Sequence, residues 1–249
     1  MTSLLHLDPE TALPPVASRR WRRDFELRQG RHGDRRATQR PELPADVEAA
    51  LRPSLAVFQL GETGEGTHLL AMAAATGDRD YLEAMRLFVA EEREHADMLA
   101  SVLHQFEEPL LERHWSDRAF QLIRRVSGLR AEVLTLLVAE LIALRYYSAL
   151  VQGLGTQHEL RRVFEAIHAD EVRHVDFHAD TLPVYLEQWS RPMWWCGRIV
   201  WNVVLYGSAV LAAWDHRNIM RRCGVGVVRF LRDCHHTFRR HEPRFFRRR

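Results

Sequence analysis

The sequence predicts an all-α fold, a four-helix bundle followed by an additional apolar helix near the C-terminus. Three observations predict it. Apolar residues recur at three- and four-residue spacing over long stretches, which is the period of one helix face. No stretch alternates apolar and polar residues over a useful length, so half-buried strands are not expected, and no repeat of solenoid period occurs. Residues that start and stop helices, such as Gly77, Pro109, Thr156 and Gly224, punctuate the periodic stretches.

Residues 1–50 are rich in Pro and Arg without sustained periodicity and predict a mostly disordered arm. The bundle is expected across residues 51–190. Its first helix runs from about Ser54 to Thr76 and is closed by Gly77. The second starts near Asp80 and ends before Pro109. Ser116 or Asp117 caps the third, which passes through "VSGL" and continues to about Gln152, before "GLG". The fourth opens with "TQHE", in which Thr156 and Glu159 form a capping box, and Pro183 is expected to kink or end it near Leu182. The apolar fifth helix, about Met193 to Met220 within residues 191–224, stops at Gly224 and leaves a basic tail, residues 225–249.

The chain's 249 residues, 46% of them hydrophobic, suffice for one domain with a sizeable core. All 35 basic residues are arginine, and the net charge of +2 conceals an asymmetry. Residues 19–40 carry nine Arg against three acids and residues 217–249 eleven against two, whereas residues 41–216 sum to −11. Basic ends of this kind bind anionic membrane surfaces or nucleic acid, or serve as solvated tails. Cys196, Cys223 and Cys234 are too few, and too close to the C-terminus, for a disulfide framework. With no compact apolar stretch at the N-terminus to act as a secretory signal, a cytoplasmic location is expected.

The segment Trp194–Trp214 has one charge, Arg198, and could nearly span a bilayer. Arg198 and Asn202 oppose simple insertion, and its Gly, Ala and Ser spacing suits close packing. A fifth bundle helix or homodimer contact, peripheral membrane association of residues 191–249 at the inner face, and a true span all remain open. Nucleic acid is the less favoured partner.

Within "LFVAEEREHADML", Leu87–Leu99, the apolar stripe of Phe88, Leu99, Val102 and Leu103 encloses Glu92 and His95. The fourth helix repeats the pattern: Leu160, Phe164, Ile167 and Val175 are interrupted by Glu171 and His174. In the third, Val133, Leu136, Leu137, Leu144 and Tyr147 surround Glu140, and in the first, Leu55, Phe58 and Leu69 surround Glu62. Glu-x-x-His occurs four times, at 65/68, 92/95, 165/168 and 171/174, where composition alone predicts about one. Spacing separates them. Glu62 precedes Glu92 by 30 residues and Glu140 precedes Glu171 by 31, the distance over which a long helix and a turn bring the chain back alongside itself. Burying one ionised carboxylate costs several kcal/mol. Two divalent cations would balance four, each taking one terminal Glu and one His, with the other Glu residues bridging. Oxygen-rich donors with one His per metal suit iron or manganese better than zinc.

Over about residues 54–182 this arrangement resembles the ferritin-like di-iron carboxylate proteins. "GETGEG", Gly61–Gly66, is similar to the Gly-Glu-x-Gly ligand segment of demethoxyubiquinol hydroxylases, which also carry a tyrosine two turns after the third-helix glutamate, as Tyr147 is here. The long fifth helix and basic tail depart from that family. The resemblance implies two iron ions, with manganese the alternative, held by Glu62, Glu92, His95, Glu140, Glu171 and His174. Glu65, one turn after Glu62, is an alternative or extra ligand. Asp170 and Glu91 match the position where oxygen-activating relatives hold a carboxylate against a ligand histidine, or else they are exposed helix charges. His178 is a pocket or core histidine or a further ligand, and Tyr147 is either a gate or packing. Leu99 stands where a radical-storing ribonucleotide reductase subunit has tyrosine.

The implied activity is that of a non-haem di-iron oxidoreductase. It would use O2 to hydroxylate, desaturate or otherwise oxidise a small lipophilic substrate, with electrons from a separate reductase. The alternative is a ferroxidase or rubrerythrin-like protein that handles iron or scavenges peroxide. The chain has no Cys-x-x-Cys for a rubredoxin-like module, and a storage cage has little use for a long apolar helix and an arginine-rich tail. A metal-free interaction protein is opposed by the acids on the apolar stripes.

Overall fold

A computed structural model describes residues 15–31, 35–64, 66–114, 129–154, 156–186 and 189–246. Among the described residues there is no strand, and the helices are α1 (Pro15–Glu26), α2 (Ala45–Glu62), α3 (Thr67–Ala75), α4 (Arg79–Gln105), α5 (Leu129–Leu154), α6 (His158–Leu186), α7 (Arg191–Asp215), α8 (Arg217–Arg222) and α9 (Val227–Phe245). The bundle is α2, α4, α5 and α6. Helix α2 packs along α4, α5 along α6, and α4 meets α6. An Arg52–Glu108 bond joins the first half of α2 to the turn just after α4, while Gly66, beyond the end of α2, abuts Val89, so the two helices run antiparallel. Phe58 of α2 stacks on Tyr146 of α5 at 3.8 Å, and Ser54 Oγ lies 2.7 Å from the Tyr146 hydroxyl. The apolar stripes predict the core well: Leu55, Phe88, Leu99, Leu137, Leu144, Phe164, Ile167 and Val175 are all buried.

The expected single first helix is two helices. Thr63 Oγ1 donates back to the Leu60 carbonyl at 2.6 Å, and Gly66 has φ 65°. A Cβ at Gly66 would sit 2.7 Å from Val89 Cγ2, so both the backbone and the approach of α4 require glycine there. On the other side α2 starts earlier than expected, at Ala45, and accommodates Pro53. Asp78 caps α4, its Oδ1 accepting from the Tyr81 N–H at 3.0 Å.

The expectation of a disordered arm does not hold for residues 15–26, which form α1 against α4 and α6. Ser18, Trp21 and Phe25 share one face and are buried. Arginines on the remaining surface pair with acids of the bundle: Arg22 with Asp80 at 2.6 Å, Arg20 with Asp180, and Trp21 Nε1 also donates to Asp180 at 3.1 Å. Arginine content masked a short amphipathic pattern. Residues 1–14 and the expected third-helix cap, Ser116 or Asp117, lie outside the described residues.

Pro183 does not end α6, which continues to Leu186. The expected fifth helix is divided at His216 into α7 and α8. The basic tail contains α9. Its Phe230, Phe238 and Phe245 are buried as α9 packs on α5, α6 and α7, and Arg244 pairs with Asp176 and Asp180. Among the described residues two helices are long and apolar enough to cross a membrane by length and composition, Glu132–Leu154 and α7; the former is mostly buried in the core.

Phe25 is fully buried against Phe177. Phe25→Ala is therefore expected to cost about 3–5 kcal/mol in urea denaturation. A cost under about 1 kcal/mol would show that α1 adds little to the fold.

Candidate metal centre

A Glu-x-x-His pair on a helix puts both side chains on one face, and the bundle turns two such faces toward each other. Helix α2 supplies Glu62, α4 supplies Glu92 and His95, α5 supplies Glu140, and α6 supplies Glu171 and His174. Glu62, Glu92, His95 and Glu171 each offer a ligand atom, all within 4.8 Å of one another, and Glu92, Glu140, Glu171 and His174 do the same. Glu92 and Glu171 belong to both groups. Each group has one carboxylate and one imidazole of its own and can hold a metal ion.

Both imidazoles present Nδ1 to the carboxylates. His95 Nδ1 lies 3.7 Å from Glu92 and 3.5 Å from Glu171; His174 Nδ1 lies 3.0 Å from Glu92 and 3.5 Å from Glu140. Even at these distances the buried Glu92 Oε1, Glu140 Oε2 and His174 Nδ1 make no hydrogen bond among the described residues. Buried polar atoms are normally satisfied, and atoms that crowd together without bonding one another fit donors aimed at a shared cation. The donor chemistry, oxygen-rich with one imidazole per group, fits a hard or intermediate divalent metal.

The electrostatics agree. Burial, then repulsion from Glu92 and Glu171, drives Glu62 well above the usual carboxylate range, and burial with Glu171 and Glu92 does the same to Glu140. Burial also opposes ionisation of Glu92, but His174 and His95 outweigh it and hold the group at about 2. Desolvation works against a charged His95, yet Asp170 and Glu171 raise it to about 10, and Glu140, Glu91 and Glu92 similarly raise His174. A bound cation would offset the repulsion among these carboxylates, and its binding would release protons from the donors.

Behind the cluster the partners are crossed between helices. Asp170 Oδ2 of α6 lies 3.5 Å from His95 Nε2 of α4, and Glu91 Oε2 of α4 lies 3.0 Å from His174 Nε2 of α6. Both acids are only 4% exposed, which removes the option of solvated helix charges. Such contacts fix the imidazole orientation that leaves Nδ1 facing inward. Arg173, which sequence reasoning missed, joins them: its guanidinium pairs with Asp170, lies 3.3 Å from Glu91 Oε1, and reaches Asp24 of α1 at 3.1 Å. Its place one turn after Asp170 and beside His174 was the available signal. Phe25 of α1 also faces His174, at 6.2 Å between ring centroids.

The other candidates are placed as follows. The Tyr147 hydroxyl donates to Glu62 Oε1 at 3.3 Å, and burial followed by the nearby Glu62 keeps the phenol protonated. His178 is fully buried between Phe88 and Phe177, belongs to neither donor group, and is pushed down to about 3 by desolvation and then by His174. Glu65 lies outside the described residues. His68 pairs with Glu132 at 2.6 Å, and Glu165 with Arg161 at 2.8 Å. Neither His68, Glu165 nor His168 enters a donor group.

No protein-family model, no curated protein and no solved structure matches the chain. The buried Glu/His cluster therefore carries the functional argument by its own geometry.

His174→Ala is expected to abolish metal uptake in a metal titration, whereas His168→Ala retains it; equal losses would contradict the donor sets. Asp170→Asn and Glu91→Gln should each weaken metal affinity by roughly 10–100-fold while the fold persists by circular dichroism. Unchanged affinity would make both carboxylates purely structural.

Proposed function

We propose that the chain is an O2-dependent di-iron oxidoreductase of the ferritin-like type, oxidising a small lipophilic substrate with electrons from a separate reductase. The observation that carries this is the pair of donor groups sharing Glu92 and Glu171, each completed by one further carboxylate and one histidine. When bound, the two iron ions would supply the O2 and redox chemistry that side chains lack. Glu62 and His95 would help to hold one ion and Glu140 and His174 the other, with Glu92 and Glu171 available to both. Asp170 and Glu91 orient the two imidazoles through Nε2. Tyr147 keeps a proton on its hydroxyl beside Glu62. Phe88, Phe25 and Phe177 pack against His174 and His178 and exclude water from this side of the site.

The competing reading is an iron-handling protein, and excess iron separates the two. Protein from iron-replete cells should contain about two iron ions per chain. Added Fe2+ beyond that should go unoxidised by the protein, and O2 uptake should continue only while a reductant is supplied. Less than one metal per chain after reconstitution, or zinc alone, contradicts the metal assignment. Continued conversion of added Fe2+ to mineral supports iron storage instead.

A further inference from the structure

Helix α7 has two unlike sides. Trp201, Leu205, Ala209 and Ala213 are buried against the protein, whereas Trp195, Ile199, Val203, Val210 and Trp214 are 53–68% exposed. Arg198 is the one charged residue between Arg191 and Asp215, and it is turned inward onto Glu242 of α9. The outward side is thus an uncharged apolar strip along a helix of about 37 Å, and monomeric soluble proteins rarely expose a contiguous apolar patch of that kind.

We propose that this strip lies in the headgroup region of an anionic phospholipid bilayer, with the α7 axis parallel to the membrane plane. The ends of the strip fit that occupant. Trp194 and Trp195 stand at one end, with the Arg198 guanidinium 5.5 and 5.6 Å from their ring centroids, and Trp214 stands at the other, with Arg217 at 4.4 Å. Indole rings beside cations are the composition favoured at a bilayer interface. Arg191 and Arg217 flank the strip, and α8 and α9, which pack on α7, belong to the segment with eleven Arg against two acids. That charge complements an anionic surface. In a pair of chains joined through α7, the same excess of positive charge would be brought together and oppose association.

A crossing orientation does not suit the inner side. Trp201 Nε1 donates to the Leu134 carbonyl at 2.8 Å, and its ring packs on Phe238, Phe245 and Phe246. A helix held by protein along one side offers lipid only the other, as an interfacial helix does. The proposal is independent of the metal chemistry.

The test is flotation of the full-length protein with phosphatidylcholine vesicles, with and without phosphatidylglycerol. Val203→Glu combined with Val210→Glu alters exposed positions only, and Leu110→Glu, at an exposed apolar residue off α7, is the control. Binding is expected with the phosphatidylglycerol vesicles, weakened by high salt, and reduced roughly tenfold or more by the double variant. Leu110→Glu should bind like the unaltered chain. Circular dichroism of each variant should match it too. No flotation overturns the proposal, and if sedimentation then shows a dimer that the double variant separates, a second copy covers the strip. Salt-sensitive binding that the double variant leaves intact also overturns it, by placing the contact on the arginines alone.

Discussion

Four carboxylates held among apolar side chains set the constraint on which this fold depends. Glu62, Glu92, Glu140 and Glu171 each come from a different helix of the bundle, and all converge on one volume. Left ionised and unpaired, they would destabilise the bundle by several kcal/mol apiece. Two neighbouring imidazoles relieve part of that charge, and burial with mutual repulsion drives Glu62 and Glu140 above the usual carboxylate range. Divalent cations would do so more completely, because each engages several oxygens at once.

The same constraint extends outward. Crossed pairing of Asp170 with His95 and of Glu91 with His174 ties α4 to α6, and Arg173 draws both acids together and adds Asp24. Helix α1 thereby belongs to the site's support as well as to the core. Asp180 of α6 takes Arg20 from the N-terminal side and Arg244 from the C-terminal side. Both basic ends of the chain thus close on the acidic bundle, which gives the charge asymmetry a structural role.

Much of this was legible in the sequence. The apolar period of 3.6 identified the bundle helices, and the recurrence of Glu before Glu-x-x-His at 30 and 31 residues brought out the six residues that the structure gathers. Boundaries were less legible. At the break after Glu62, Gly66 takes φ 65° and lies against Val89, a contact made only on folding. Helix α1 escaped notice because Ser18, Trp21 and Phe25 face inward among arginines whose acidic partners lie far along the chain. Arg173 was hidden for the same reason: its partners Glu91 and Asp24 are close only after folding. Conversely, Pro183 is a strong local stop signal that α6 overrides.

The most direct test of the central claim is anomalous diffraction at the iron edge from crystals of iron-loaded protein. Two peaks are expected inside the bundle, one among Glu62, Glu92, His95 and Glu171 and the other among Glu92, Glu140, Glu171 and His174. No peak at the cluster, or one held by residues outside these two groups, would contradict it.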